Sequence, residues 1–221
     1  MSIPETGERL TNETVSAPTR RTPQVTRMLA WAGVAAPRLE AARVVLGDHT
    51  MRASGSLISA QQNGAEAYSA SYSLATDEAG VVQRLTVRTI RAHGEQYVSL
   101  TRSEEDIWLV DRVGQGAGTV RTNFSGALDV DLASSPLFNA LPVRRLGLHR
   151  AAAQHDLAQH DLPVVFVSLP GLEVGCVRQT YATVAVGETT VVRFASDLLE
   201  AELTVDTDGL VLDYPGLARR A

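Results

Sequence analysis

The run DVDLASSPLFNALPVRRL, Asp129 to Leu146, changes its period half-way, and that change decides the fold. Leu128, Val130 and Leu132 alternate with Asp129 and Asp131, the period-2 pattern of a strand. Ser134-Ser135-Pro136 then reads as a helix start, with Ser135 at the N-cap and Pro136 at the first helical position, where its missing N–H costs nothing. Pro142 follows six residues later and keeps the helix short or kinked. Arg144 and Arg145 put a strongly charged pair at the end of an otherwise apolar segment. Outward from here the chain reads as short strands, so a single helix has to be packed against by sheet.

On the N-terminal side, MLAWAGV and LEAARVVLG flank Pro37 as two strands. TMRASGSLISAQQ and AEAYSASYSLAT meet at Asn63-Gly64, a strong hairpin signal. In the second of these, Tyr68, Ala70, Tyr72 and Leu74 share a face that suits either a ligand cavity or, more simply, an ordinary core. VVQRLTVRTIRA, QYVSLTR and EDIWLVD continue the series, with Arg84, Arg88 and Arg91 marking a solvent face. Strands at roughly ten-residue spacing, punctuated by Gly and Asn, are a meander. Gly114-Gln115-Gly116-Ala117-Gly118 fails as a phosphate cradle: no helix follows it and the chain has no lysine. It reads as a flexible loop.

On the C-terminal side AQHDL occurs twice, bringing His155, Asp156, His160 and Asp161 close in sequence. Positions five apart do not share a helix face, and no third cluster completes a metal site, so a surface duplication is the preferred reading. PVVFVSLP is a buried strand, LEVGCVRQTYATVAV the next one, and Cys176 a small buried residue within it. VVRFAS and LLEAELTVD follow, and Asp208-Gly209 turns the chain tightly into LVLDYPG. DTDG there is turn chemistry, since the remaining ligands of a calcium loop are missing.

Composition sets the outer bounds. The 221 residues are 44% hydrophobic, enough for a sizeable core, and carry a net charge of −5. That balance draws the chain to neither nucleic acid nor anionic lipid. One cysteine excludes an internal disulfide framework. No run approaches the ~20 apolar residues of a membrane span. The N-terminus, with Glu5, Glu8 and no hydrophobic run, is not a secretory signal, so a cytoplasmic setting is expected. Residues 1–24, rich in Pro, Thr, Ser and charge, are expected as a disordered tail, and 25–221 as one domain.

Catalytic constellations are scarce. Ser134, Ser135, His149 and Asp131 lack the nucleophile elbow and any fixed triad spacing. Asp129 and Asp131 lie on one strand face, about 7 Å apart. That spacing suits an acid/base pair, and equally an Asp–Arg network with Arg144 and Arg145 tying helix to sheet, which is the preferred reading. No cofactor motif or metal set is present.

The ordered series of a D-x-D strand (Asp129, Asp131), P-x-x-N-x-L-P-V-R-R-L (Pro136, Asn139, Leu141 to Leu146), Q-x-Y (Gln179, Tyr181) and the closing hairpin from Val205 to Arg219 or Arg220 resembles the putative glycolipid-binding family. The resemblance runs from about Arg27 to Arg220, with Trp31, Leu39-Glu40 and Trp108 where the family's upstream strands fall. Phe138 replaces a usual Thr, Asp111-Arg112-Val113 and the glycine-rich loop replace a compact D-G, and AQHDL is inserted.

What the resemblance implies is a mainly β spiral roll: a long antiparallel sheet curled around one short central helix, in a homodimer. It also implies a non-enzymatic protein holding a lipid or glycolipid in an apolar cleft, by analogy with lipid carriers. Tyr72, Trp108, Arg144 and Tyr181 are then the expected ligand contacts, and Asp129, Asp131, Asn139 and Arg145 the expected structural anchors. The rival readings are a hydrolase acting on a sugar or acyl ester through Asp129, Asp131 and Tyr181, which requires those groups to converge, and a dimerisation module without ligand.

Overall fold

The computed structural model describes residues 23–61, 64–113, 118–150, 158–197 and 199–221. The first eight strands are β1 (Val25–Gly33), β2 (Arg38–Leu46), β3 (Met51–Ser59), β4 (Tyr68–Thr76), β5 (Val82–Arg91), β6 (Gly94–Arg102), β7 (Trp108–Val113) and β8 (Gly118–Thr122). After β9 (Asp129–Leu132) come a 3-10 turn (Pro136–Asn139) and the helix α1 (Ala140–Arg145). Six strands finish the chain: β10 (His160–Val167), β11 (Val174–Val186), β12 (Thr190–Ser196), β13 (Leu199–Val205), β14 (Val211–Tyr214) and β15 (Ala218–Arg220). The tail expected over 1–24 lies outside the described residues except for its last two positions, as do most of the glycine-rich loop and the first AQHDL copy.

Among the described residues all fifteen strands belong to one sheet, in the order β8-β7-β6-β5-β4-β3-β2-β1-β15-β14-β13-β12-β11-β10-β9. Each half of the chain is thus a meander, and the first and last strands pair in the middle of the sheet, Trp31 opposite Arg220. The two edges, β8 and β9, are separated by only six residues, 123–128. Laid flat, a sheet of this width would hold its edges about 65 Å apart at ~4.8 Å per strand. Six residues reach at most about 25 Å. The sheet therefore curls until its edges approach, without closing. Where the curl overlaps, Trp108 Nε1 donates to the Ala127 carbonyl at 3.0 Å and the Val82 amide to the Leu128 carbonyl at 3.0 Å.

Two details correct the expected picture. The sheet is mixed: β9 and β10 run parallel, so β10 begins at the same end of the sheet as β9. Cys176 lies on β11 as expected but is exposed, since Gln179, Tyr181 and Thr183 take the inward parity and Cys176 and Arg178 the outward one.

The helical segment fills the curl. Leu137, Phe138, Ala140 and Leu141 pack with Trp31, Tyr72, Trp108 and the leucines of the N-terminal meander. Val143 and Leu148 pack with Tyr181, Phe194, Leu203 and Tyr214 of the C-terminal one. Pro142 falls in the first turn of α1, which ends three residues later at Arg145. Ser135 occupies the N-cap position without a capping hydrogen bond; its hydroxyl is committed elsewhere, as described below. Among the described residues the outer face is laced with ion pairs such as Arg88–Glu95, Arg193–Glu202 and Arg219–Asp213.

Candidate binding cleft

The C-terminal half does not fill its inner face completely. A half-open cleft of about 460 Å³ lies between the β9–α1 connection and strands β10–β14. That size falls in the ~300–1,000 Å³ range of small-molecule sites. Register builds it: Gln179, Ser196 and Leu199 are consecutive cross-strand partners on β11, β12 and β13, so they form one row of the wall. Phe166, Val177, Phe194, Tyr214 and Leu217 make the rest of the wall apolar. Ala133, Ser134 and Ser135 close it from the other side, with Ser134 at a φ of +69° that serine seldom adopts.

Polar groups meet at the floor in a directed chain of hydrogen bonds. Asn139 Nδ2 donates to the Tyr181 hydroxyl at 2.9 Å, and that hydroxyl donates to Gln179 Oε1 at 3.0 Å. Gln179 Nε2 in turn donates to Asp131 Oδ2 at 2.6 Å. Burial raises the Asp131 carboxyl to about 6, with the Gln179 bond opposing it. Tyr181 and Tyr214 are held far from ionisation by burial and by the charge of Asp131. Asp131 therefore faces the cleft mostly ionised at neutral pH, its described partner an amide and not a cation.

Behind Ser135 sits a second buried carboxyl. Glu40 is 1% exposed, and its Oε1 accepts from both Tyr72 Oη and Ser135 Oγ at 2.6 Å. Burial raises it to about 7, with those two bonds and the charge of Arg38 opposing. Gly55, directly across from Tyr72, makes this reach feasible: a Cβ there would lie 2.4 Å from the tyrosine oxygen. Glu40 also has a legible signal, because it shares parity with Ala42, Val44 and Leu46 on an otherwise apolar strand face.

The expected site residues separate cleanly. Asp131 and Asn139, expected as anchors, line the cleft. Asp129 is fully buried and takes Arg145 Nη2 at 2.5 Å and Nε at 3.2 Å on both oxygens. Tyr72 and Trp108 are enclosed by the core, Tyr72 spent on Glu40 and Trp108 on Ala127. Arg144 lies away from the cleft, donating to the carbonyls of Asp208 and, at 2.8 Å, Gly47, so it staples the β2–β3 and β13–β14 turns together. Gly209, at φ +78°, lets it pass; a side chain there would collide with Arg144 and His149. Tyr181 is 1% exposed and reaches the cleft only through its hydrogen-bond partners Asn139 and Gln179. The hydrolase reading needs Asp129, Asp131 and Tyr181 together in an open site, and only Asp131 of the three forms part of the cleft wall. Phe166, Val177, Phe194, Leu199 and Leu217 were not legible as wall residues, because an inward apolar strand position looks the same whether it meets core or cleft.

Of the AQHDL residues that are described, Asp161 is exposed and paired with Arg178. Among the described residues no group of three or more His, Cys, Asp or Glu is arranged to hold a metal, and no helix is long and apolar enough to cross a membrane.

The model of the family described as "Putative glycolipid-binding" matches residues 28–220, nearly the whole chain. The chain belongs to that family. Among solved structures, a DUF1089 family protein from Pseudomonas aeruginosa superposes with a TM-score of 0.63 at 21% identity, over 97% of this chain and 100% of the other. At that identity the likeness establishes a shared fold, and the cleft chemistry has to be read from this family member's own residues. No curated protein matches the chain.

Proposed function

We propose that this protein is a non-enzymatic binding protein that holds a lipid or other amphipathic molecule in the cleft of its curled sheet. The observation that carries the reading is the cleft itself: an apolar wall of Phe166, Val177, Phe194, Leu199, Tyr214 and Leu217 around a short polar floor of Asp131, Asn139 and Gln179. Small-molecule sites commonly combine a mainly apolar lining with a few fixed polar groups. An acyl chain would remove apolar surface of both partners from water, worth about 25 cal/mol per Å² before ordering costs are subtracted. The family's description supports a binding role of this kind.

The test combines mass spectrometry of organic extracts of purified protein with thermal melts across a lipid panel. The expected result is co-purified lipid or a ligand-dependent rise in melting temperature, since a ligand that binds only the folded state stabilises it. Clean extracts together with flat melts across the panel would remove the proposal.

A further inference from the structure

We infer that the cleft selects an uncharged, hydroxyl-bearing head group and rejects anionic ones, with Asp131 and Gln179 as the selecting pair. The inference rests on the binding reading above and concerns what lies at the polar end of the ligand.

Valence decides it. The floor chain starts at Asn139, passes through the Tyr181 hydroxyl and Gln179, and ends at Asp131, so its terminal member has acceptor capacity and no proton to give. Each step uses one donor internally. The Gln179 amide keeps one further N–H beside the carboxylate. A ligand group that complements this pair has to donate to Asp131 and accept from Gln179 at the same time. A hydroxyl does both. An ammonium satisfies only the carboxylate, because it accepts nothing, and a phosphate or carboxylate satisfies only the amide.

Charge weighs against the anionic head groups. Among the described residues, the ionisable groups of the cleft wall apart from Tyr214 are two carboxylates, Asp131 and Asp197, and no arginine lines it. Glu40 lies one side chain behind Ser135 and adds a third acidic group. Arg145, which follows α1's apolar face, is already committed to Asp129, and Arg144 to backbone carbonyls outside the cleft. An anionic head entering here would be desolvated against like charge without a cation to receive it, which is costly in a low-dielectric site.

The experiment is titration calorimetry below the micellar range with single-chain probes that share a dodecyl tail: dodecyl maltoside, 1-dodecylglycerol, dodecylammonium and dodecyl phosphate. Both hydroxyl probes are expected to bind at least about tenfold tighter than the phosphate, a difference of about 1.4 kcal/mol, with the ammonium between them. Maltoside against dodecylglycerol separates a sugar head from a glycerol head. Asp131→Asn, which keeps size and removes the charge, is expected to shrink the hydroxyl-over-phosphate ratio to about threefold or less while its thermal melt stays cooperative. Phosphate binding as tight as maltoside, or an unchanged ratio in the variant, overturns the head-group inference and leaves the cleft reading standing. Failure of every probe to bind removes the cleft reading, and this inference with it.

Discussion

The two meanders use the central segment differently. Against β1–β8 it is packed solid, with Phe138 edge-on to Tyr72 at 5.2 Å and both tryptophans almost wholly buried. Against β10–β14 it leaves about 460 Å³ open. The same contrast is compressed into four residues of β9. Asp129 and Asp131 share a strand face and lie two residues apart, yet the first receives a bidentate arginine and the second an amide and a cleft. A buried carboxylate with a matched cation builds architecture. One satisfied by a single neutral donor retains capacity for something else.

The largest expected effect comes from breaking the architectural member. Arg145→Ala leaves Asp129 buried and unpaired, and removing one partner of a buried ion pair costs about 3–5 kcal/mol. Urea unfolding should show the midpoint shift with little change in slope. Adding Asp129→Asn to that variant should recover part of the loss, because the uncompensated charge is gone. A single variant within about 0.5 kcal/mol of the natural protein would show that Asp129 finds another donor, and the contrast between the two aspartates would collapse.

The contrast also explains what the sequence made legible. Period-2 alternation located most strands, because each meander strand buries one face against the same core, as in Ala42, Val44 and Leu46 or Tyr72 and Leu74. The Asp–Arg tie was legible from the charge of Asp129 beside Arg144-Arg145, although which arginine takes the carboxylate depends on helix phase. Arg145 follows Arg144 by about 100° around the axis, so only one of them can face β9. The cleft was not legible. Whether Phe194 or Leu199 touches core or empty space depends on how far the sheet curls past α1, a property of fifteen strands together. Glu40 was legible: a carboxylate in register with alanine and valine marks a buried, partnered group.

An intermediate effect belongs to that residue and carries a pH signature. Glu40 is raised from its ordinary value of 4.5 to about 7 by burial. Between those values the unfolded chain has already released its proton while the folded one retains it, so folding stability falls as pH rises through the window. Below about 4.5 there is no penalty, and above about 7 the whole of it applies, at most about 3 kcal/mol at 1.36 kcal/mol per unit. Asp131, raised to about 6, adds a loss of the same sign at lower pH. Glu40→Gln keeps an oxygen for Tyr72 and Ser135 and has nothing to ionise. The variant should match the natural protein at pH 4 and exceed its stability at pH 8 by roughly 1–3 kcal/mol, read from urea midpoints across the range. Equal stabilities at pH 8 would mean that the charge on Glu40 is compensated by something besides Arg38 and the two hydroxyls.

The smallest effect tests the link between the two regimes, the hydroxyl of Tyr181. Its ring packs on Phe194 at 5.3 Å in the core of the C-terminal meander, and its oxygen joins Asn139 of the 3-10 turn to Gln179 of the cleft. Tyr181→Phe preserves the packing and orphans two groups, the Asn139 amide N–H and Gln179 Oε1. Leaving a buried polar group unsatisfied costs about 1–3 kcal/mol. Here the cleft lies beside both groups, so solvent entering it should hold the loss to about 1 kcal/mol. The consequence for binding should be larger than that for folding. Without the tyrosine proton, Gln179 Oε1 loses its donor and the amide is held only by its bond to Asp131. The pair that favours a hydroxyl is then less firmly positioned. Dodecyl maltoside binding should weaken several-fold in Tyr181→Phe while the urea midpoint moves little. A variant that loses stability and keeps its full affinity would place the hydroxyl wholly on the architectural side, with Asp131 fixing Gln179 unaided.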